Sequence, residues 1–221
     1  VIGIWHLGSV YSACLAELGY LVTGFDRDSK RIGELNKGVA PLFEPGLNEL
    51  LLKNIRSKRL GFTSELDVAL RGTRYVIVSF DTPVDSQDEI DLSEILDVAK
   101  EIPQYLDNGS LVIVSSQVPV GTCELIESIM KKQKSSLNFG LAYAPENLKL
   151  GMAIERFFNP RVMVLGANDI STLEDVENFF AGIHATKIRM NLRSAEMTKH
   201  ALNAFLATSI SFANEIGNLC D

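Results

Sequence analysis

The chain is short of cysteine, of basic residues and of long apolar runs, and each shortage excludes something. Cys14, Cys123 and Cys220 are odd in number, far apart and without metal-ligand spacing, a pattern of reduced thiols in a cytoplasmic protein rather than a disulfide framework or a metal site. With 21 Lys and Arg against 28 Asp and Glu the net charge is -7. That field would repel nucleic acid or an anionic membrane as the main partner. No apolar run reaches membrane-spanning length, and no secretory signal peptide is expected before the first strand. What the chain does have is 46% hydrophobic residues over 221 positions, enough for one large α/β domain or one domain plus part of another. It opens inside a strand without an initiator Met, so residues are expected in front of Val1.

The organising stretch is Val1 to Asp26, VIGIWHLGSVYSACLAELGYLVTGFD. Val1, Ile2 and Ile4 form an apolar run too short for a helix, and Gly3 breaks it. Ser9 to Leu18 carries small and apolar residues at helical spacing, Gly19 ends that helix, and Leu21 to Phe25 is β-rich. Asp26 then stands about 20 residues past the glycine turn, where an acid accepts hydrogen bonds from an adenosine ribose. This is the pattern of a dinucleotide-binding unit with Gly3 and Gly8 in the turn, and the carboxylate argues for NAD over NADP. A complete G-x-G-x-x-G would need glycine at position 5, where this chain has Trp5. An indole there either points away from the pyrophosphate or blocks it, so NAD is expected to bind more weakly than it would with glycine.

Further along, Ser29 can cap a helix over Lys30 to Leu35, from which Arg31 reaches back toward an adenosine or lies solvated on the surface. A Pro-containing loop, residues 38–46, leads into an apolar helix. Strands are expected at 59–63, 75–80, 111–115, 139–143, 162–165 and 185–190, and helices from 91 to 103, from 122 to 132 and from 171 to 180. Strands alternating with helices, and turn residues at strand C-termini, predict an α/β fold with a doubly wound, mostly parallel Rossmann-like sheet over residues 1–190. Residues 191–221 are expected to form a separate long helix. Leu192 to Cys220 has no Gly or Pro until Gly217, and its apolar residues spread around most of the helix circumference, so it should be buried on more than one side by a second domain or a second copy of the chain. Glu196, Lys199 and Asn203 fall one turn apart on its polar stripe. An i, i+4 pair can be purely structural, but burying an ammonium needs a reason.

Taken in order, VIGIWHLGSVYSACLAELG, the GFD ending, FEPGLNELL, Thr82-Pro83 after a strand, DLSEIL, VPVGT, APENL followed by Gly151, FFNPRVMVLG and the long 192–221 segment resemble the UDP-glucose/GDP-mannose dehydrogenase family of nucleotide-sugar 6-dehydrogenases over essentially the whole chain. The resemblance implies NAD as cofactor, a nucleotide sugar as substrate and a homodimer through the 192–220 helix. It also implies oxidation of a C6 alcohol to the carboxylate through a cysteine thiohemiacetal and thioester. By matching position Asp26 and Arg31 would hold the adenosine, and Thr82 and Pro83 would lie along the cofactor. Glu146 would assist hydrolysis as a base, and Lys199 with Asn203 would stabilise an oxyanion.

The sequence departs from the family pattern at Trp5, at Gln117 in place of a Thr that holds a water, and at Leu150 in place of a second Glu. The Gly-rich segment that would supply the nucleophilic Cys does not occur in it, and Cys220 matches a different cysteine of the family. Two other readings stay open. A β-hydroxyacid dehydrogenase also places Lys and Asn one turn apart on a long helix but leaves FEPGL, VPVGT and APENL unexplained. A dimeric nucleotide-binding module without catalysis would fit the three departures.

Overall fold

The computed structural model describes residues 1–83, 90–146 and 148–220; Asn147, which closes the Pro145–Asn147 motif, and Asp221 lie outside the described residues. Helix α1 (His6–Glu17) leads to β1 (Val22–Phe25), α2 (Ser29–Leu35), α3 (Leu47–Arg56), β2 (Leu60–Thr63) and α4 (Leu66–Leu70). Next come β3 (Tyr75–Val78), α5 (Ser93–Glu101), a 3₁₀ turn over Ile102–Tyr105, β4 (Ser110–Val114), α6 (Thr122–Gln133) and β5 (Phe139–Tyr143). The chain finishes with α7 (Ala153–Phe158), β6 (Val162–Gly166), α8 (Ile170–Phe179), β7 (Thr186–Met190) and α9 (Leu192–Cys220).

The expected first strand is reduced to one regular residue. Ile2 bridges Phe25 on one side and Val78 on the other, both parallel, before Gly3 turns the chain out of the extended region at φ 87°. This short segment is nevertheless the middle of the sheet, because it joins the β1–β2 pair to the run β3-β4-β5-β6-β7. Pairing is parallel except between β5 and β6, which meet antiparallel at Tyr143 and Gly166. The central strands β3 and β4 are apolar on both faces: Ile77, Leu111 and Ile113 enter one core with α1 and α3, whereas Val76, Val78, Val112 and Val114 enter the other with α5 and α6. A sheet covered on both sides needs such continuous apolar strands.

Several local expectations are corrected. Helix α1 starts at His6, not Ser9, because the Ser9 amide already bonds the Trp5 carbonyl at 3.0 Å. Asp28, not Ser29, caps α2: its carboxylate accepts the Lys30 and Arg31 amides at 3.0 and 3.1 Å, a stronger acceptor than a hydroxyl at an N-cap. Helix α7 was not foreseen from the sequence. Pro103 does end α5, by converting it to a 3₁₀ turn.

Helix α9 begins packed on β6, where a Cβ at Gly166 would stand 2.4 Å from that of Ala195. Leu192, Ala195, Glu196 and Lys199 are buried, and residues 201–220 are exposed. The apolar circumference of this helix is therefore covered by the sheet only over its first two turns. Among the described residues no helix is long and apolar enough to cross a membrane.

Close approach of α1 to the central strand depends on Gly8, where a Cβ would lie 2.0 Å from the Gly3 carbonyl oxygen and 2.9 Å from Ser79 Oγ. Gly8→Ala is expected to destabilise the chain by roughly 3 kcal/mol, the upper end of overpacking penalties. Urea unfolding measures it. A loss under about 1 kcal/mol would mean that helix and strand separate freely.

Candidate functional site

A cleft of about 630 Å³ opens at the C-terminal edge of the central strands, lined among others by Gly3, Trp5, Asp26, Arg31, Phe80 and Pro83. Each wall has a local cause. Gly3 can bend the strand away because it alone tolerates positive φ, and a Cβ there would meet the Phe80 ring at 2.9 Å. Helix α1 starts without a side-chain cap, which leaves first-turn amides for an anion. Asp26 closes β1 and is buried, its Oδ2 accepting the Ile4 amide at 3.0 Å and Arg31 Nη1 at 2.6 Å, its Oδ1 the Asp28 amide at 2.9 Å. The cleft is lined by five carboxylates, Asp26, Asp81, Asp91, Glu94 and Asp97, against two cations, Arg27 and Arg31. An additional phosphate would meet this mostly negative wall.

Trp5 neither folds into the core nor forces the turn. Its backbone sits at φ -99°, where no glycine is required, and its indole is 40% exposed with the Arg31 guanidinium 5.0 Å from the ring centroid.

The remaining expected residues gather where α9 crosses the end of the sheet. Lys199 is buried, and its ammonium donates to the Glu146 carbonyl at 2.6 Å and lies 3.6 Å from the Glu146 carboxylate. One turn on, Asn203 Nδ2 donates to Gln117 Oε1 at 2.9 Å. The carbonyl of the same Gln117 accepts the Thr82 hydroxyl at 2.7 Å. His200 meets the Val118 carbonyl at 2.7 Å. So Thr82, between the cleft-lining Asp81 and Pro83, and Asn203 on α9 share one residue, whereas Leu150 is 58% exposed and has no part in these contacts.

Two carboxylates that the sequence reading left without a role tie the site together. Glu196, fully buried, accepts the Gly121 and Cys123 amides at 2.6 and 2.7 Å and so caps α6 from a helix over 70 positions away. Glu44 in the FEPG loop accepts His6 Nε2 at 3.0 Å, the Gly151 amide at 2.9 Å and the Ala153 amide at 2.8 Å. It joins the start of α1 to the start of α7. The only local signal for Glu44 was an acid between two prolines of one loop; Glu196 shared the polar stripe with Lys199.

The thiols are inert where they are buried. Burial pushes Cys14 and Cys123 well above the ordinary thiol range, aided at Cys123 by the neighbouring Glu196, so neither is a thiolate near neutral pH.

Residues 1–184 match the NAD binding domain of the UDP-glucose/GDP-mannose dehydrogenase family and residues 193–221 match its central domain. The chain belongs to this family. It is 38% identical to the UDP-glucose 6-dehydrogenase TuaD of Bacillus subtilis, with all of the chain and 48% of that relative covered. Among solved structures, GDP-mannose dehydrogenase of Pseudomonas aeruginosa in a ternary complex superposes with a TM-score of 0.94 at 30% identity, over 98% of the chain and 51% of that protein. A UDP-glucose dehydrogenase of Pyrobaculum islandicum gives 0.92 at 33%, again over 98% and 51%. The chain thus spans about half the length of the relatives it matches. As in a dehydrogenase of this family, the cofactor of the domain is NAD. The site suits it, because Gly3, Asp26 and Arg31 line one cleft beside the uncapped start of α1, an arrangement that offers amides to a diphosphate and a carboxylate to a ribose.

Burial works against the charged form of Glu44, but the Gly151 and Ala153 amides and His6 outweigh it and hold the carboxyl below its ordinary value of 4.5. A depressed folded-state value stabilises the fold above the unfolded value, and this contribution is lost as pH falls through the folded one. Glu44→Gln is therefore expected to cost roughly 2 kcal/mol near pH 7, the scale of hydrogen bonds to a charged group, and progressively less below pH 4.5. Paired urea titrations at neutral and acid pH read the difference; a gap that stays constant would remove the charge of Glu44 from the account.

Proposed function

We propose that the chain is the cofactor domain (residues 1–190) and central helix (191–221) of a nucleotide-sugar 6-dehydrogenase that oxidises the C6 alcohol of a UDP-glucose-like substrate to the uronate. The observation that carries this reading is the contact set at Gln117, by which the Thr82 end of the cofactor cleft adjoins the Lys199, Glu146 and Asn203 group. When bound, NAD would accept hydride from the carbinol carbon. Gly3, Gly8, Asp26, Arg31, Thr82 and Pro83 would hold and orient it. Lys199 places a cation beside the substrate oxygen as negative charge develops, and Glu146 holds that ammonium through its carbonyl, while its carboxylate, which accepts the Leu148 amide through Oε2, is the base that takes a proton from water. Asn203 is the second polar group, with one amide hydrogen held by Gln117. The three unpaired cysteines and the dehydrogenase relatives support a cytoplasmic location.

The thioester route needs a thiolate at the sugar carbon. Cys14 and Cys123 are buried and protonated, and Cys220 lies roughly 25 Å along the helix from Asn203 at 1.5 Å per residue. Conversion to the uronate then requires a thiolate that none of these three cysteines supplies. The 221-residue chain should bind NADH, seen by enhanced nicotinamide fluorescence, and yield no UDP-glucuronate from UDP-glucose and NAD by product chromatography. Sustained uronate formation would mean that one of these three thiols is the nucleophile, and no NADH binding would favour a fold kept without its cofactor.

The exposed Leu202, Phe205, Leu206, Ile210, Phe212 and Leu219 on α9 support a homodimer through residues 192–220, since such a stripe is costly in water. Phe212→Glu should halve the mass seen by light scattering. A wild-type chain already monomeric at high concentration would count against this interface.

A further inference from the structure

Arg31 is restrained on three sides. Its amide is fixed by the Asp28 cap at 3.1 Å, and its guanidinium edges meet Asp26 at 2.6 Å and Asp28 at 3.7 Å. The Trp5 indole covers it at 5.0 Å from the ring centroid. Carboxylates engage a guanidinium through its in-plane N–H groups, whereas an aromatic ring takes a face. Both oxygens of Asp26 are already bonded within the protein, and its side chain is 10% exposed against 27% for Arg31. Of this ion pair, the guanidinium therefore has the more free surface. Nothing in the backbone at Trp5 demands glycine, and the indole contributes its exposed area to the cleft wall rather than to a core.

Building on the cofactor reading above, we infer that Trp5 is a positioning residue: its indole backs the Arg31 guanidinium and presents it as a flat plate on which the adenine of the dinucleotide stacks. A guanidinium held by an indole on one face and by carboxylates along its edges loses little further freedom when a purine covers it. This reverses the sign expected from crowding alone. Replacing Trp5 with glycine opens space in the turn, yet it also releases Arg31 to solvent, so adenine recognition weakens.

Trp5 is the single tryptophan of the chain, so its emission reports the contact without any cofactor. Arg31→Ala should shift that emission and raise its quenching by acrylamide. NADH and 5′-AMP are then titrated calorimetrically against wild type, Trp5→Gly, Trp5→Phe, Arg31→Ala and the Trp5→Gly/Arg31→Ala double variant, each checked for wild-type circular dichroism. Trp5→Gly should weaken both ligands about three- to five-fold, the range of an exposed cation–π contact, while Trp5→Phe stays within about two-fold because it keeps an aromatic face. In the Arg31→Ala background Trp5→Gly should have no further effect, the signature of one coupled unit. Equal or tighter binding by Trp5→Gly, or an equal loss with and without Arg31, overturns the inference while leaving the cofactor site in place. Failure of wild type to bind NADH overturns the cofactor reading itself, and the role of Trp5 with it.

Discussion

The architecture depends on one tight contact, the seating of Gly8 in α1 against the carbonyl of Gly3. The segment that ends at Gly3 is the middle of the sheet and has only one regularly bridged residue, Ile2. It is held by bonds to both neighbours: the Ile2 amide to the Ile77 carbonyl at 2.7 Å and the Phe25 amide to the Val1 carbonyl at 2.8 Å. Because α1 lies directly on it, ten successive residues from Leu7 to Ala16 are buried. A helix enclosed on all sides must be small and apolar throughout, which is what Ala13, Cys14, Leu15 and Ala16 provide. The close approach also brings the uncapped start of α1 beside Gly3 in the cleft wall, so one packing constraint sets both the core and the cleft.

Buried carboxylates do the second part of the work. Glu44 and Glu196 each accept main-chain amides from segments 73 to 109 positions away, and each sits at the first turn of a helix it does not belong to. An acceptor of this kind is well placed there, because it satisfies amides that the helix leaves unpaired and opposes the helix dipole. The consequence is positional: Glu44 sets the loop that follows Glu146 against the start of α1, and Glu196 sets α9 against the VPVGT turn. Lys199 and Asn203, one and two turns beyond Glu196, inherit their placement from that bond.

Gln117 connects the two halves of the site, through its main chain to Thr82 and through its side chain to Asn203. A shorter Thr at this position would leave room for water between strand and helix, while the longer amide spans the gap directly. The departure from the family pattern is thus a different way of filling one space, with the Asn203 amide partly engaged as a result. Trp5 is the parallel case on the cofactor side, where a departure is accommodated by contact with Arg31.

Sequence alone determined whatever depends on local periodicity. Apolar runs, and at β7 an alternating pattern, located every regular strand to within a residue or two, and α9 was legible from Leu192 to Cys220 because nothing before Gly217 interrupts its helical pattern. The ordered motifs also pointed to the family and to NAD, since the glycine turn and Asp26 lie in one short stretch. Tertiary structure decided what depends on partners distant in the chain. Short helix α7 has too few residues to be stable by propensity alone and starts on Glu44 from another loop, so no pattern within it could announce it. The antiparallel step from β5 to β6, the pairing of Asn203 with Gln117 and the face that Trp5 offers Arg31 are likewise set by which surfaces the fold brings together. Periodicity records which side of an element is buried; it carries no record of the group waiting on the other side.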